Sequence, residues 1–341
     1  MSTTRDYFRP VVQVGPGKPA GAAQLAGGWG WFTQLEVLAR GRLPRVIPLT
    51  DAPGQVIDAL AEPRADIAGL SFDLPRVMGI LNVTPDSFSD GGVHAAADDA
   101  IAAGQAMETA GADLLDIGGE STRPGAEEVS IDEECRRTVP VIRGLREAGV
   151  ATAISIDTRK AAVAEVAVDA GAGLINDVSG FTFDAALAPL AARADLPVCV
   201  MHALGDPATM QNDPRYDDVL LDVYDFLEAQ IATLERAGIP RARIVADPGI
   251  GFGKTLEHNL TLLARLSLFH SLGVPILLGA SRKRFIGTIG KAPEARTRAP
   301  GSLGVAMAAL SHGIQILRVH DVPETIQGIA LWRAAMTGRQ V

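Results

Sequence analysis

The sequence is poor in cysteine, aromatic residues and positive charge. Cys135 and Cys199 are the only two cysteines in 341 residues, and neither belongs to a CxxC pattern or a His-rich cluster. A disulfide framework and a thiolate zinc site are thereby excluded, and a reducing compartment, the cytoplasm, is the expected setting. The net charge of −9 and a pI near 5.2 argue against a nucleic-acid or anionic-membrane surface, although a local basic pocket can still hold a small anion. There is no uninterrupted apolar run of about 18 residues, the length of a membrane span. The opening "MSTTRDYFRP" also lacks the apolar centre of a signal peptide. These absences point to a soluble, unexported protein. Aromatics make up only 5% of a chain that is 47% hydrophobic, so the core is mainly aliphatic. The length is ample for one large α/β domain with a smaller appendage.

The chain reads in two parts. Residues 1–75 are rich in Gly and Ala, contain Trp29 and Trp31, and show only short strand-like pieces at 10–14 and 45–49. They read as an N-terminal extension packed on the main body. From 76 to 341 a unit repeats, in which a short apolar run ends in polar residues and Gly, and an Ala/Leu-rich helical stretch follows. The runs are VMGILNV (77–83), ADLLDIGG (112–119), TAISIDT (152–158), GLINDVS (173–179), PVCVMHA (197–203), RIVADPG (243–249), PILLGAS (275–281) and IQILRVHD (314–321). Helical spacing is clear at 161–170, 219–237 and 302–312. Near-continuous apolar strands alternating with helices imply a parallel sheet covered on both faces. Eight such units predict a (β/α)8 TIM barrel with an N-terminal extension. A doubly wound open sheet is the competing fold, but no strand–GxGxxG–helix fingerprint is present.

In such a barrel the C-terminal strand ends build the site. Here they carry Asn82, Asp86, Asp116, Glu120, Thr122, Arg123, Asp157, Asn176, Asp177, Met201, His202, Asp247, Ser281, Arg282, Lys283, Arg318, His320 and Asp321. Any one polar residue after a strand is most often a helix cap or turn former. Eight strands in succession ending this way suggest convergence on one cavity. Two chemical subsets stand out. Asp157, Asn176, Asp247 and Lys283 offer acceptors and donors for the edge of a flat, nitrogen-rich ring. Asn82, Thr122, Arg123, Arg318 and His320 suit a phosphate or pyrophosphate. The plain alternatives are rim salt bridges for the arginines and a solvated basic loop, "SRKR" (281–284), for Lys283.

"DPGIGFGKT" (247–255) ends like a phosphate-binding P-loop. A Walker A loop requires Gly five positions before its Gly-Lys-Thr glycine; that position is Pro248, which also lacks an N–H. A nucleotide site is excluded. What remains is a glycine-rich turn that lets backbone approach a flat ligand. Lys254 and Thr255 are then expected to be helix-start residues.

At this point the chain resembles dihydropteroate synthase, of the pterin-binding superfamily. The stretches that carry the resemblance are MGILNVTPDSFSDGG (78–92), GADLLDIGGESTRPGAEEVS (111–130), SIDT (155–158), INDVSG (175–180), MH (201–202), TMQ (209–211), DPGIGFGKT (247–255), GASRK (279–283) and RVHDV (318–322). They fall in order, one per strand end, over about three quarters of the chain. The resemblance implies condensation of 6-hydroxymethyl-7,8-dihydropterin diphosphate with p-aminobenzoate, by an SN1-like path. It implies that Asp157, Asn176, Asp247 and Lys283 bond the pterin, with Met201 and Phe252 lining the slot. Asn82, Arg318 and His320 would hold the diphosphate, Asn82 also meeting a Mg²⁺. Phe88, Thr122, Arg123 and Pro124 would form the p-aminobenzoate pocket. A homodimer and a sulfonamide target are implied as well. Arg284, where many members have a small Ser, and ALGDPATMQ (203–211), without the frequent Met-Gln-Gly, depart from the pattern. They leave fine specificity and inhibitor response open. A pterin-dependent methyltransferase shares the ring-binding carboxylates, but lacks the Ser121–Gly125 and Ser281–Lys283 elements. A catalytically silent paralogue should have lost residues such as Asn82, Thr122, Arg123 or Lys283, all retained here.

Overall fold

A computed structural model describes residues 5–84, 92–121, 128–205 and 210–339. Eight parallel strands form the central ring: Arg76–Asn82, Leu114–Gly118, Ala153–Asp157, Leu174–Asp177, Val198–Met201, Ile244–Asp247, Leu277–Leu278 and Ile316–Val319. Strands adjacent in sequence pair in parallel, and the last pairs with the first through Ile316–Arg76 to Val319–Gly79. Between the sixth and seventh strands the ring is completed by a single parallel bridge, Ala246–Ile276. Seven of the eight apolar runs contain their strand, which is one to three residues shorter at each end; the first strand starts at Arg76, one residue before its run. The run outlasts the strand because the polar residues after it turn toward the rim.

Side chains alternate across a strand, so parity sorts each run. Val77, Leu115, Ile117, Ile154, Ile156, Ile175, Val200, Ala246 and Leu317 face outward and join the helices in one large core. The opposite parity faces the barrel interior. Its lowest layer is apolar: Met78, Leu114, Leu174, Cys199, Val245, Leu277 and Ile316, with Ala153 beside them. Two residues further along the same strands come Asp116, Ser155, Asn176, Met201, Asp247 and Arg318. One change of layer therefore converts an apolar floor into a polar interior.

The helices begin where local chemistry satisfies their free N–H groups. Ser130 caps Ile131–Glu147, Asp218 caps Val219–Arg236 and Thr255 caps Leu256–Ala264 in a capping box with His258. The remaining large helices are Gly92–Thr109, Ala299–Ser311 and Val322–Thr337.

Residues 5–75 form a three-stranded antiparallel sheet of Tyr7–Pro10, Gln34–Leu38 and Arg45–Pro48, a short hairpin of Ala23–Gln24 with Trp31–Phe32, and the helix Gly54–Ala61. The first strand lies earlier than the expected 10–14 piece, because Tyr7 to Pro10 pair with Leu38 to Leu35. After Pro10 the chain makes only a single bridge, Gln13–Trp31. The extension has its own small core of Leu25, Ala26, Phe32, Leu35 and Leu60. It meets the acidic face of the helix Val219–Arg236 with basic side chains. Arg40 bonds Asp222 at 2.5 Å and Asp225 at 2.6 Å, and the Tyr7 hydroxyl donates to Asp225 at 2.9 Å. Trp29 donates its indole N–H to the Leu310 carbonyl at 2.8 Å.

Its last residues reach under the barrel, where Ile67 and Phe72 pack on the apolar floor. Phe72 is 3% exposed, so Phe72→Ala should cost about 3 kcal/mol by opening a cavity against that floor. Urea unfolding checks this, and a loss below about 1 kcal/mol would show the floor to be sealed without it.

Candidate active site

The interior holds a buried ionic group built from four strands. Arg318 donates from Nε to Asp116 Oδ2 at 2.5 Å and from Nη2 to Asp157 Oδ2 at 2.7 Å. Asn176 donates from Nδ2 to the same Asp116 oxygen at 3.0 Å. Burial pushes the Asp157 carboxyl up; Arg318 opposes this, and the nearby Asp116 and Asp177 add to it. Arg318 in turn is held charged by the two carboxylates against the cost of its burial. Asp116 Oδ1 and Ser155 Oγ are buried with no hydrogen-bond partner among the described residues. Three of the expected ring-binding and anion-binding residues, Asp157, Asn176 and Arg318, are thus neighbours, and Arg318 joins the two subsets instead of standing in one of them.

Asp247 ends the sixth strand and is 4% exposed. Its Oδ1 accepts from the Gly249 N–H at 2.7 Å. Burial pushes this carboxyl up as well, with Lys283, the Gly249 N–H and Arg318 pulling it back. The turn that follows has Gly249, Gly251 and Gly253 at φ of +67°, +84° and +62°, conformations that side chains disfavour. A Cβ on Gly249 would lie 1.9 Å from the His202 carbonyl oxygen. Lys283 crosses this turn. Its Nζ donates to the Ile250 carbonyl and lies 4.4 Å from the centre of the Phe252 ring. Burial pushes the Lys283 ammonium down to about 8, against the pull of Asp247. Met201, 3% exposed, stands at the interior end of the fifth strand beside Gly249.

At the rim, Asn82 ends the first strand with interior parity, its Oδ1 and the Asp157 carboxylate both close to Gly118. His320 is held by Ser281, whose hydroxyl accepts from the His320 N–H at 3.2 Å and pairs with its Nδ1 at 3.0 Å. Arg282, at φ +57°, pairs with Asp321 and supports this corner of the rim. Arg284 is exposed at the first position of the helix Arg284–Ile289. Phe88, Thr122, Arg123 and Pro124 lie outside the described residues. The described roots of the segment 122–127 are fastened together. Glu120 accepts from the Val129 N–H at 3.0 Å, and Lys160 donates to the Val129 carbonyl at 2.6 Å and to Glu134 at 2.7 Å.

Sequence reasoning placed Asp116 among the strand ends but gave it no role; counting parity from the apolar floor would have found it. It took Lys254 for a helix-start residue. Only Thr255 is that, since Lys254 is buried beneath the turn. Asp177 and Asp321 have the plain role: Asp177 accepts from the Ser179 and Phe181 N–H groups at 2.7 Å each and closes its own turn.

A closed parallel barrel with carboxylates, an amide, a lysine and an arginine converging at its C-terminal interior has the layout of a barrel enzyme with a polar site. A sequence model of the family described as pterin binding enzyme matches residues 78–320. Dihydropteroate synthase of Escherichia coli (strain K12) is 46% identical over 274 residues, covering 80% of this chain and 96% of that protein. A Xanthomonas albilineans dihydropteroate synthase structure with 4-aminobenzoic acid aligns with TM-score 0.75 and 46% identity, covering 80% of this chain and 98% of that one. The same enzyme in complex with 7,8-dihydropteroate aligns with TM-score 0.72 and 44% identity over the same shares of the two chains. The chain belongs to the pterin-binding enzymes and, among them, to the dihydropteroate synthases. The extension precedes the matched region, which begins at Met78.

Proposed function

We propose that this protein condenses 6-hydroxymethyl-7,8-dihydropterin diphosphate with p-aminobenzoate, giving 7,8-dihydropteroate and pyrophosphate. The observation that carries it is the convergence of Asp116, Asp157, Asn176, Asp247, Lys283 and Arg318 inside the barrel of a dihydropteroate synthase relative. Asp157, Asn176 and Asp247 accept from and donate to the pterin edge, and Lys283 donates to its carbonyl or ring nitrogen. Met201 and Phe252 line the slot. Such matching rejects analogues that leave these groups unpaired.

Asn82, Arg318 and His320 hold the diphosphate in this reading. Among the described residues no cluster of three or more His, Cys, Asp or Glu forms a metal cage. The rim oxygen of Asn82 fits a Mg²⁺ held mainly by phosphate oxygens and water. When bound, that ion neutralises charge on the departing pyrophosphate. The substrate C–O bond breaks first, its electron pair leaving with pyrophosphate, and the dihydropterin ring delocalises the resulting cation. Asp157 and Asp247 favour that positive charge. The p-aminobenzoate amine then attacks the methylene carbon and releases a proton. Phe88, Thr122, Arg123 and Pro124 orient p-aminobenzoate, and a sulfonamide competes at that subsite.

The decisive test is to mix the pure protein with both substrates and Mg²⁺ and to measure dihydropteroate. Product no higher than with boiled protein would sink the proposal. A pH test addresses the pterin grip. Lys283 loses its proton as pH rises through about 8, and with it the charged donor, so dihydropterin affinity should fall about tenfold per unit above that. Lys283→Arg stays charged over this range and should flatten the profile. Calorimetry from pH 7 to 9.5 on both proteins checks it; parallel profiles would exclude Lys283 as the titrating group.

The protein is also proposed to act as a homodimer. The helix Ala299–Ser311 carries no charged side chain, its Gly304 is exposed, and Leu331 on the next helix is 66% exposed. Light scattering giving a monomer mass would contradict this. Cys135 and Cys199 are free thiols, which suits a cytoplasmic setting, and no helix among the described residues is long and apolar enough to cross a membrane.

A further inference from the structure

The lysine of Gly-Lys-Thr has no phosphate to bind, yet it is among the most highly bonded side chains near the site. Lys254 is 3% exposed. Its Nζ lies 2.8 Å from Nδ1 of His202, 2.8 Å from the Gly249 carbonyl oxygen, 3.0 Å from that of Phe252 and 3.3 Å from that of His202. The three carbonyl oxygens can only accept, so the lysine Nζ donates into the turn, and it shares one further hydrogen bond with Nδ1 of His202. Burial, with Lys254 beside it, holds His202 well below the usual imidazole range.

The turn between Gly249 and Gly253 is thereby folded around one buried amine, whose charged form burial and the nearby Lys283 disfavour against the pull of Asp247. Its other polar groups are secured from outside. Asn259 accepts from the Gly251 N–H at 2.7 Å, Gln211 donates to the Gly251 carbonyl at 2.5 Å, and the Tyr216 hydroxyl donates to the Gly253 carbonyl at 2.7 Å. Every ring-binding feature on this side of the barrel hangs on the same turn. The Gly249 N–H fixes Asp247, the Ile250 carbonyl receives Lys283, and Phe252 lies against the Lys283 ammonium. Removing this amine leaves two inward-facing carbonyls and a histidine nitrogen unpaired in a buried place, the condition under which such a turn rearranges.

We propose that Lys254 is a positioning residue for the reaction: through His202 and the carbonyls of Gly249 and Phe252 it sets Asp247, Lys283 and Phe252 at the spacing that the pterin ring requires. The proposal rests on the pterin reading above. Lys254→Met keeps the length of the side chain and removes its donors. It should weaken dihydropterin binding at least 30-fold by calorimetry and raise the KM for the pterin substrate. The KM for p-aminobenzoate should stay within threefold, and thermal unfolding should stay cooperative. Lys254→Ala should regain part of its activity with millimolar ethylammonium, which can replace the missing ammonium, a readout that a purely structural role would not move. A folded Lys254→Met protein that binds dihydropterin within threefold of the unmodified protein would overturn the proposal. If Lys254→Met does not fold, Lys254→Gln, which retains two N–H donors, takes its place with the same criteria. Failure of both to fold would assign the lysine to fold stability and overturn the proposal too. Absence of pterin binding in the unmodified protein would instead sink the functional reading, so the two failures are told apart.

Discussion

Asp247→Ala should bind dihydropterin about a thousandfold more weakly than the unmodified protein and remain folded. Oδ1 of Asp247 is engaged by the Gly249 N–H, while Oδ2 points past the bare face of Gly279, where an added Cβ would lie 3.4 Å from it. The carboxylate is buried, with Lys283, Arg318 and Lys254 keeping positive charge near it. A ligand edge with two N–H donors gains charge-assisted bonds worth about 1.5–3 kcal/mol each in such a place. Losing both amounts to about 4 kcal/mol, or three powers of ten at 1.4 kcal/mol each. Folding should suffer little, because the substitution also removes a buried carboxylate whose charged form is disfavoured. Calorimetry with dihydropterin and a melting curve check both halves, and unchanged affinity in a folded protein would remove Asp247 from the site.

Arg318→Met should lose about 3 kcal/mol of stability and at least a thousandfold in kcat/KM. The guanidinium is the only cation bonded to Asp116 and to Asp157 among the described residues, and Asp116 is fully buried. Removing one partner of a buried ion pair leaves uncompensated charge, which costs about 3–5 kcal/mol. The pH dependence has a definite sign. Without the cation, the Asp157 carboxyl rises further above its unfolded value of about 3.9, so the folded state binds more protons than the unfolded one above that pH. The contribution of Asp157 is favourable at low pH and is lost as pH rises. The stability gap to the unmodified protein should therefore narrow from pH 8 toward pH 5. A constant gap in urea titrations across that range would show that Asp157 is not the strained group. Activity falls for a second reason, since the same side chain faces the proposed diphosphate site.

Much of this protein is written locally. The eight apolar runs, their order and their polar ends are visible in the chain, because a strand buried on both faces has to be apolar along its length. Asp157, Asn176, Asp247 and Lys283 were readable as one chemical set because each follows such a run at its end. The helix start at Thr255 was readable because a cap needs only the next three residues.

The rest depends on which residues meet across the barrel. Arg318 reads as a phosphate ligand in the sequence, but closing the ring brings it 202 positions back to Asp116 and 161 back to Asp157, so it serves both subsets. Lys254 reads as a helix-start residue; closure sets His202, 52 positions away, over it and buries it. Phe72 and Ile67 carry no signal of their own, yet they seal the floor on which the polar layer stands. The sequence alone determined the repeating unit, the barrel and the chemical types at its rim, since these follow from periodicity and local hydrogen bonding. Tertiary structure decided which carboxylates share a cation, which lysine is buried and where the extension docks, because burial and pairing exist only once distant segments exclude water from between them.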